Sequence, residues 1–130
     1  MKKRMLFVVN PSSGTLKIKD SLLEVCQIFN SNGYEITLNV TKYISDAIKE
    51  AIESEQTYDL IVCCGGDGTF NRTVSTLICH NKNIPVGYIP SGSTNDFART
   101  VGLSGTPTDI ARQIMAGFPH TLDVGSFNQS

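Results

Sequence analysis

The stretch Leu60-Ile61-Val62-Cys63-Cys64-Gly65-Gly66-Asp67-Gly68-Thr69-Phe70 decides how this chain folds. Five apolar residues in a row read as a strand buried on both faces, and a glycine-rich turn ends them at once. From about Phe70 to His80 the periodicity changes: Val74, Leu77 and Ile78 recur at helical spacing. A strand passing through a tight turn into a helix is one step of a βαβ series, so the neighbouring sequence should repeat the pattern.

It does so on both sides. Met5-Leu6-Phe7-Val8-Val9 is a second buried run, stopped by Asn10-Pro11-Ser12-Ser13-Gly14. Ile18, Leu22, Cys26 and Phe29, with Leu23 beside them, predict a helix ended by Asn32-Gly33. Tyr34, Ile36, Leu38 and Val40 alternate with polar residues and predict a strand with one apolar face near the sheet edge. Ser45 is the expected cap of the next helix, whose stripe is Ala47-Ile48 and Ala51-Ile52, with Glu50 and Glu53 off it. Val86 to Ile89 is a short strand, followed by Pro90-Ser91-Gly92-Ser93-Thr94-Asn95-Asp96 and a short helix through Phe97 and Val101. Thr106-Pro107-Thr108-Asp109 has the form of a capping box before a helix carrying Ile110, Ile114 and Met115, and His120 to Phe127 is one more strand. The expected fold class is α/β, three layers, with a mostly parallel sheet and helices on both faces.

Composition narrows the function. The 130 residues suit one domain with its own core, and 11 Lys and Arg against 12 Asp and Glu leave no broad basic face for a nucleic acid. Lys2-Lys3-Arg4 is too short a basic run for such a surface. No apolar stretch reaches the length of a membrane helix, and Leu6 to Val9 is shorter than a signal-peptide core, so a cytoplasmic chain is expected. Cys26, Cys63, Cys64 and Cys79 lack metal-ligand spacing and are expected to be buried, reduced thiols. His80 and His120 have no acidic or cysteine partner at ligand spacing, which favours a surface or helix-end role.

Three loops, Asn10 to Gly14, Gly65 to Thr69 and Ser91 to Asp96, each follow a predicted parallel strand and precede a helix, which places them on one edge of the sheet. Helix N-termini there present unpaired N–H groups and partial positive charge, so phosphate is the natural ligand. Gly65, Gly66 and Gly68 would allow close backbone approach and positive φ. Asp67 beside a polyphosphate is repulsive unless magnesium lies between them or the carboxylate handles a hydroxyl proton; its other reading is the N-cap of the following helix. Neither the Gly-x4-Gly-Lys-Ser/Thr nor the Gly-x-Gly-x-x-Gly pattern occurs.

Taken in order, Asn10-Pro11-Ser12-Ser13-Gly14, then Gly65-Gly66-Asp67-Gly68-Thr69-Phe70-Asn71, then Ile89-Pro90-Ser91-Gly92-Ser93-Thr94-Asn95-Asp96-Phe97-Ala98-Arg99 resemble the diacylglycerol kinase catalytic domain family. That family includes diacylglycerol, sphingosine and ceramide kinases and related bacterial lipid kinases. The resemblance implies a Rossmann-like, NAD kinase/diacylglycerol kinase-like N-terminal domain over residues 1–130. It also implies ATP binding by Asn10, Pro11, Ser12, Ser13, Gly14, Thr41, the Gly65, Gly66, Asp67, Gly68, Thr69, Asn71 and Arg72 segment, and Gly92 with Ser93 and Thr94. Asp67 would be the catalytic residue, facing the reacting phosphate and Mg2+. Asn95 and Asp96 are either a cap and turn or part of the nucleotide- or lipid-facing surface. The lipid hydroxyl of a substrate such as diacylglycerol, met at a membrane surface, would receive the γ-phosphate of ATP.

Complete members of the family continue into a second, β-rich domain that supplies magnesium ligands, a base and much of the lipid site. With that domain absent from this chain, the fragment is expected not to turn over alone, and an edge left exposed could let copies associate. Two positions depart from the family pattern. Arg72 stands where a glutamate is usual, and Ser93, which keeps the hydroxyl, where a threonine is usual. An NAD kinase-like enzyme, sharing Gly-Gly-Asp-Gly-Thr after a strand, and a non-catalytic nucleotide-binding module are the alternative readings.

Overall fold

Along the chain run β1 (Lys3–Val9), α1 (Ile18–Ser31), β2 (Tyr34–Val40), α2 (Ile44–Glu53), β3 (Leu60–Gly65), α3 (Asp67–Cys79), β4 (Val86–Pro90), α4 (Pro107–Met115) and β5 (Thr121–Leu122). The computed structural model describes residues 3–11, 18–90, 106–117 and 121–122, and of Asp67, Thr121 and Leu122 the backbone alone. The helix expected through Phe97 and Val101, and most of the strand expected from His120 to Phe127, lie outside these residues.

The sheet order is β2-β1-β3-β4-β5. The first four strands are parallel, and β5 pairs antiparallel to β4 through Val86↔Leu122 and Gly87↔Thr121. All six residues of β3 are buried, as a central strand covered on both faces requires. β2 sits at the edge, and its apolar face is only half used: Tyr34 and Ile36 pack against the core, whereas Leu38 and Val40 stay exposed.

Helix α1 lies beside α4, and α2 beside α3, so each face of the sheet carries a helix pair. Phe29 of α1 meets Phe7 of β1 edge to face at 5.6 Å, an arrangement that adds about 0.5–1.5 kcal/mol beyond area burial. The stripe of α1 differs from the expected one. Val25 is buried with Ile18 and Phe29, while Leu23 points to solvent at 75 % exposure. Gly87 lets α4 settle close on β4, since a Cβ there would lie 3.2 Å from Ile114 Cδ1.

The helix starts follow local chemistry. Thr106 and Asp109 form the expected capping box, with Pro107 in the first turn of α4. The expected cap at Ser45 is corrected: the N-cap is Tyr43, two residues earlier, with no side-chain cap hydrogen bond. Tyr43 N–H instead donates to Thr41 Oγ1 at 3.0 Å. At the far end of α3, His80 is the C-cap residue, with Nδ1 2.9 Å from Thr76 O.

Candidate functional site

From β1 the chain turns toward β2, and from β3 it turns the other way, toward β4. That reversal opens a crevice beyond the C-terminal ends of β1 and β3, the place where open α/β sheets bind ligands. The ladder continues one residue past the strands, since Asn10 N–H donates to Cys64 O at 2.9 Å and Thr41 N–H to Val9 O at 2.9 Å. Asn10 and Thr41 therefore leave the sheet level with Gly65, the last residue of β3.

One side-chain hydrogen bond spans the crevice: Asn10 Nδ2 donates to Thr69 Oγ1 at 3.1 Å. Thr69 is 4 % exposed and folds back over the end of β3. Gly65 is what permits this, because a Cβ there would sit 2.8 Å from Thr69 Cβ and nearer still to its Oγ1. Below the loop, the Tyr88 hydroxyl donates to Gly65 O at 3.0 Å, and its ring packs on Phe70 at 5.1 Å. The turn is thus fixed from both ends by side chains of β1, α3 and β4.

Gly66 and Gly68 differ from Gly65. A Cβ at either would meet nothing within 4 Å among the described residues, so here the absent side chain leaves open space. The expectation of positive φ in this loop is corrected: among the described residues only Gly33, Gly117 and Asn81 have it, and Gly66 has φ −85°. The reading of Asp67 as an N-cap is also corrected. Gly66 is the N-cap, without a capping side chain, and α3 starts at Asp67, three residues before the expected Phe70.

A cleft of about 230 Å³ lies over this helix start, lined by Asn10, Ile44, Gly66, Gly68, Thr69 and Arg72. Its described side chains carry one full charge, the Arg72 guanidinium, and the cleft lies at the positive end of α3, where Thr69 N–H already turns back to Gly66 O at 3.0 Å. A positive helix end, two bare glycines and an arginine suit a multiply charged anion.

The structure thus brings Asn10, Gly66, Gly68, Thr69 and Arg72 together. Gly65 supports them from beneath, and Thr41 stands at the same edge with its hydroxyl occupied by Tyr43 N–H. Pro11 and Asn71 are exposed and do not line the cleft. Ser12, Ser13, Gly14, Gly92, Ser93, Thr94, Asn95 and Asp96 lie outside the described residues. Sequence reasoning missed Ile44 and Tyr88. The first follows directly on the loop after β2, and the second carried no signal beyond being an aromatic residue in a short strand.

The cysteines next to the loop are not nucleophiles. Burial pushes the Cys63 thiol up to about 12, partly offset by a hydrogen bond with Thr73. Burial does the same to Cys64, also to about 12, with Cys63 adding to it. The expectation of four buried thiols holds for this pair only, since Cys26 is half-buried and Cys79 exposed. No group of three potential metal ligands occurs among the described residues.

Comparison with known proteins agrees with this layout. The family model of the diacylglycerol kinase catalytic domain matches residues 4–127. A diacylglycerol kinase of Bacillus subtilis is 37 % identical over 97 % of this chain and 42 % of its own length. A diacylglycerol kinase of Staphylococcus saprophyticus is 35 % identical over 98 % of this chain and 42 % of its own. A crystal structure from Bacillus anthracis, described as that of a candidate diacylglycerol kinase, superposes with a TM-score of 0.73 at 28 % identity, covering 88 % of this chain and 42 % of that one. The chain therefore spans less than half the length of these relatives.

Proposed function

This chain belongs to the diacylglycerol kinase catalytic domain family, and from that premise we propose that it is the ATP-binding part of a lipid kinase that transfers the γ-phosphate of ATP to the hydroxyl of a lipid such as diacylglycerol. The observation that carries the reading is the cleft at the start of α3, where Gly66 and Gly68 leave room for phosphate against the helix end.

In this reading the polyphosphate rests on the N–H groups at the start of α3, with Asn10 and Thr69 fixing the loop and Arg72 supplying positive charge. Asp67 is the residue proposed to hold Mg2+ against the phosphates. The metal would offset the charge that develops on the transferring group. The lipid oxygen forms the new bond to phosphorus as the bond to the ADP oxygen breaks, and the hydroxyl proton passes to a base. We assign that base, the remaining magnesium ligands and the lipid surface to a second, β-rich domain of the kind expected in the residues where the relatives extend beyond the matched stretch. No helix among the described residues is long and apolar enough to cross a membrane; in the proposed reading the lipid is met at a membrane surface.

The test is a calorimetric titration of the chain with Mg-ATP, repeated with Asp67→Ala and with NAD in place of ATP. Saturable ATP binding that weakens in Asp67→Ala, without NAD binding, is expected. Tight NAD binding would move the chain to the NAD kinase-like reading, and no nucleotide binding would remove the function proposed for the cleft.

A further inference from the structure

Arg72 is the one cation among the described residues that line the cleft, and it stands four residues after Gly68 on the same helix. Residues four apart share a helix face, one turn of about 5.4 Å from each other. Helical side chains lean back toward the N-terminus, so an arginine at this position projects over the residue one turn earlier. Here that residue is a glycine, and no atom of the described residues lies within 4 Å of where its Cβ would be. The lane from Arg72 to the start of the helix is therefore clear.

The guanidinium is exposed, and no carboxylate among the described residues pairs with it; the ion pairs there join Arg112 to Glu24 and to Asp109. Its charge is thus not consumed by the fold. A planar guanidinium offers paired donors that match two phosphate oxygens at once, which an ammonium does not.

Building on the ATP reading, we infer that Arg72 grips the nucleotide's polyphosphate directly and serves as its built-in counter-charge, so that this chain binds ATP without magnesium. Metal-free ATP carries about four negative charges, and a cleft with only neutral donors would hold it weakly. With the N–H groups of α3 and Arg72 acting on the same phosphates, and Arg72 offsetting the repulsion of Asp67 once the metal is gone, binding depends less on the metal than it would on a metal-bridged carboxylate alone. Magnesium then serves chemistry more than capture.

The experiment is a titration of the purified chain with ATP in excess EDTA and in excess magnesium, with adenosine as the phosphate-free probe, for the wild type, Arg72→Gln and Arg72→Lys. The wild type is expected to bind ATP in EDTA within about tenfold of its affinity in magnesium. Arg72→Gln should lose about tenfold to a hundredfold in EDTA, the range of a charge-assisted, two-pronged contact. Arg72→Lys should keep part of the affinity, and binding of adenosine should not move. The loss should shrink as salt is raised, as a screened ionic contact requires. Unchanged ATP binding by Arg72→Gln, or wild-type binding abolished by EDTA, would overturn the inference while leaving the ATP site intact. No wild-type binding under any condition would instead defeat the ATP reading on which it rests. Because Arg72 is exposed on α3, the variants should melt with the wild type, which keeps loss of fold apart from loss of contact.

Discussion

Replacing Gly65 by alanine separates steric necessity from convenience in the loop. Gly65 does not have positive φ, so the backbone itself accepts alanine. If space were free, the change would stabilise the chain by about 0.4–1 kcal/mol through the unfolded state. Space is not free: the new methyl would lie 2.8 Å from Thr69 Cβ and 3.0 Å from its Cγ2. Rotating Thr69 cannot move its Cβ, and its hydroxyl is held by Asn10. Overpacking costs about 1–3 kcal/mol, and breaking the Asn10 hydrogen bond about 1 kcal/mol more. Set against the unfolded-state gain, the net expectation is a loss of about 1–3.5 kcal/mol, read from the urea midpoint at constant m-value. In a Thr69→Ala background the same change should cost at least 1 kcal/mol less, because two of the three clashing atoms are gone. A Gly65→Ala chain as stable as the parent, or costs that simply add, would refute the account of how this loop is held.

Other parts of the structure make smaller claims. Tyr88→Phe should cost about 1–2 kcal/mol in urea unfolding, since it strips the buried Gly65 carbonyl of its hydroxyl donor. Thr106→Ala should lower stability by about 1 kcal/mol by removing the hydroxyl that accepts from Asp109 N–H in the capping box, and an undiminished midpoint would contradict it. A thiol reagent at neutral pH should modify Cys79 first and Cys26 slowly, reaching Cys63 and Cys64 only on unfolding. The same pair predicts alkaline loss of stability. Their thiols stay protonated to about 12 when folded against an ordinary value of 9.0, so between those values the unfolded chain releases protons the folded chain keeps, and unfolding free energy should fall as pH rises through that window. A flat denaturation profile above pH 9 would argue that these thiols are not buried as described.

Much of this fold was legible because the central strands are unbroken apolar runs. β3 and β4 begin where the apolar pattern begins, and β2 matches its alternation residue for residue. The errors fall where a local pattern has two physical solutions. Ser45 is a good cap by residue type, yet Ile44 is fully buried, and burying it at the first position of α2 outweighs a surface hydrogen bond. Leu23 and Val25 both fit an apolar helix face, and only the position of the sheet beneath α1 selects Val25. At the site, glycine after a strand suggested positive φ, whereas the three glycines do different things: one yields to Thr69, and two leave the cleft bare. That division depends on a side chain four residues away folding backward, which spacing does not reveal. Arg72 was expected among the nucleotide-binding residues and stood out as a charge where a glutamate is usual, and the cleft gives that charge a location.

The most direct test of the site is Gly68→Ala, titrated calorimetrically with Mg-ATP beside the parent chain. Gly68 lies in the first turn of α3, where alanine is the better helix former by about 1 kcal/mol, and its Cβ would meet no atom of the described residues within 4 Å. The fold should therefore keep or gain stability while the methyl occupies the space proposed for phosphate. A variant at least as stable as the parent, with ATP affinity reduced tenfold or more, on the order of 1.4 kcal/mol, is the predicted result. A stable Gly68→Ala chain that binds ATP as tightly as the parent would contradict the placement of the nucleotide in this cleft.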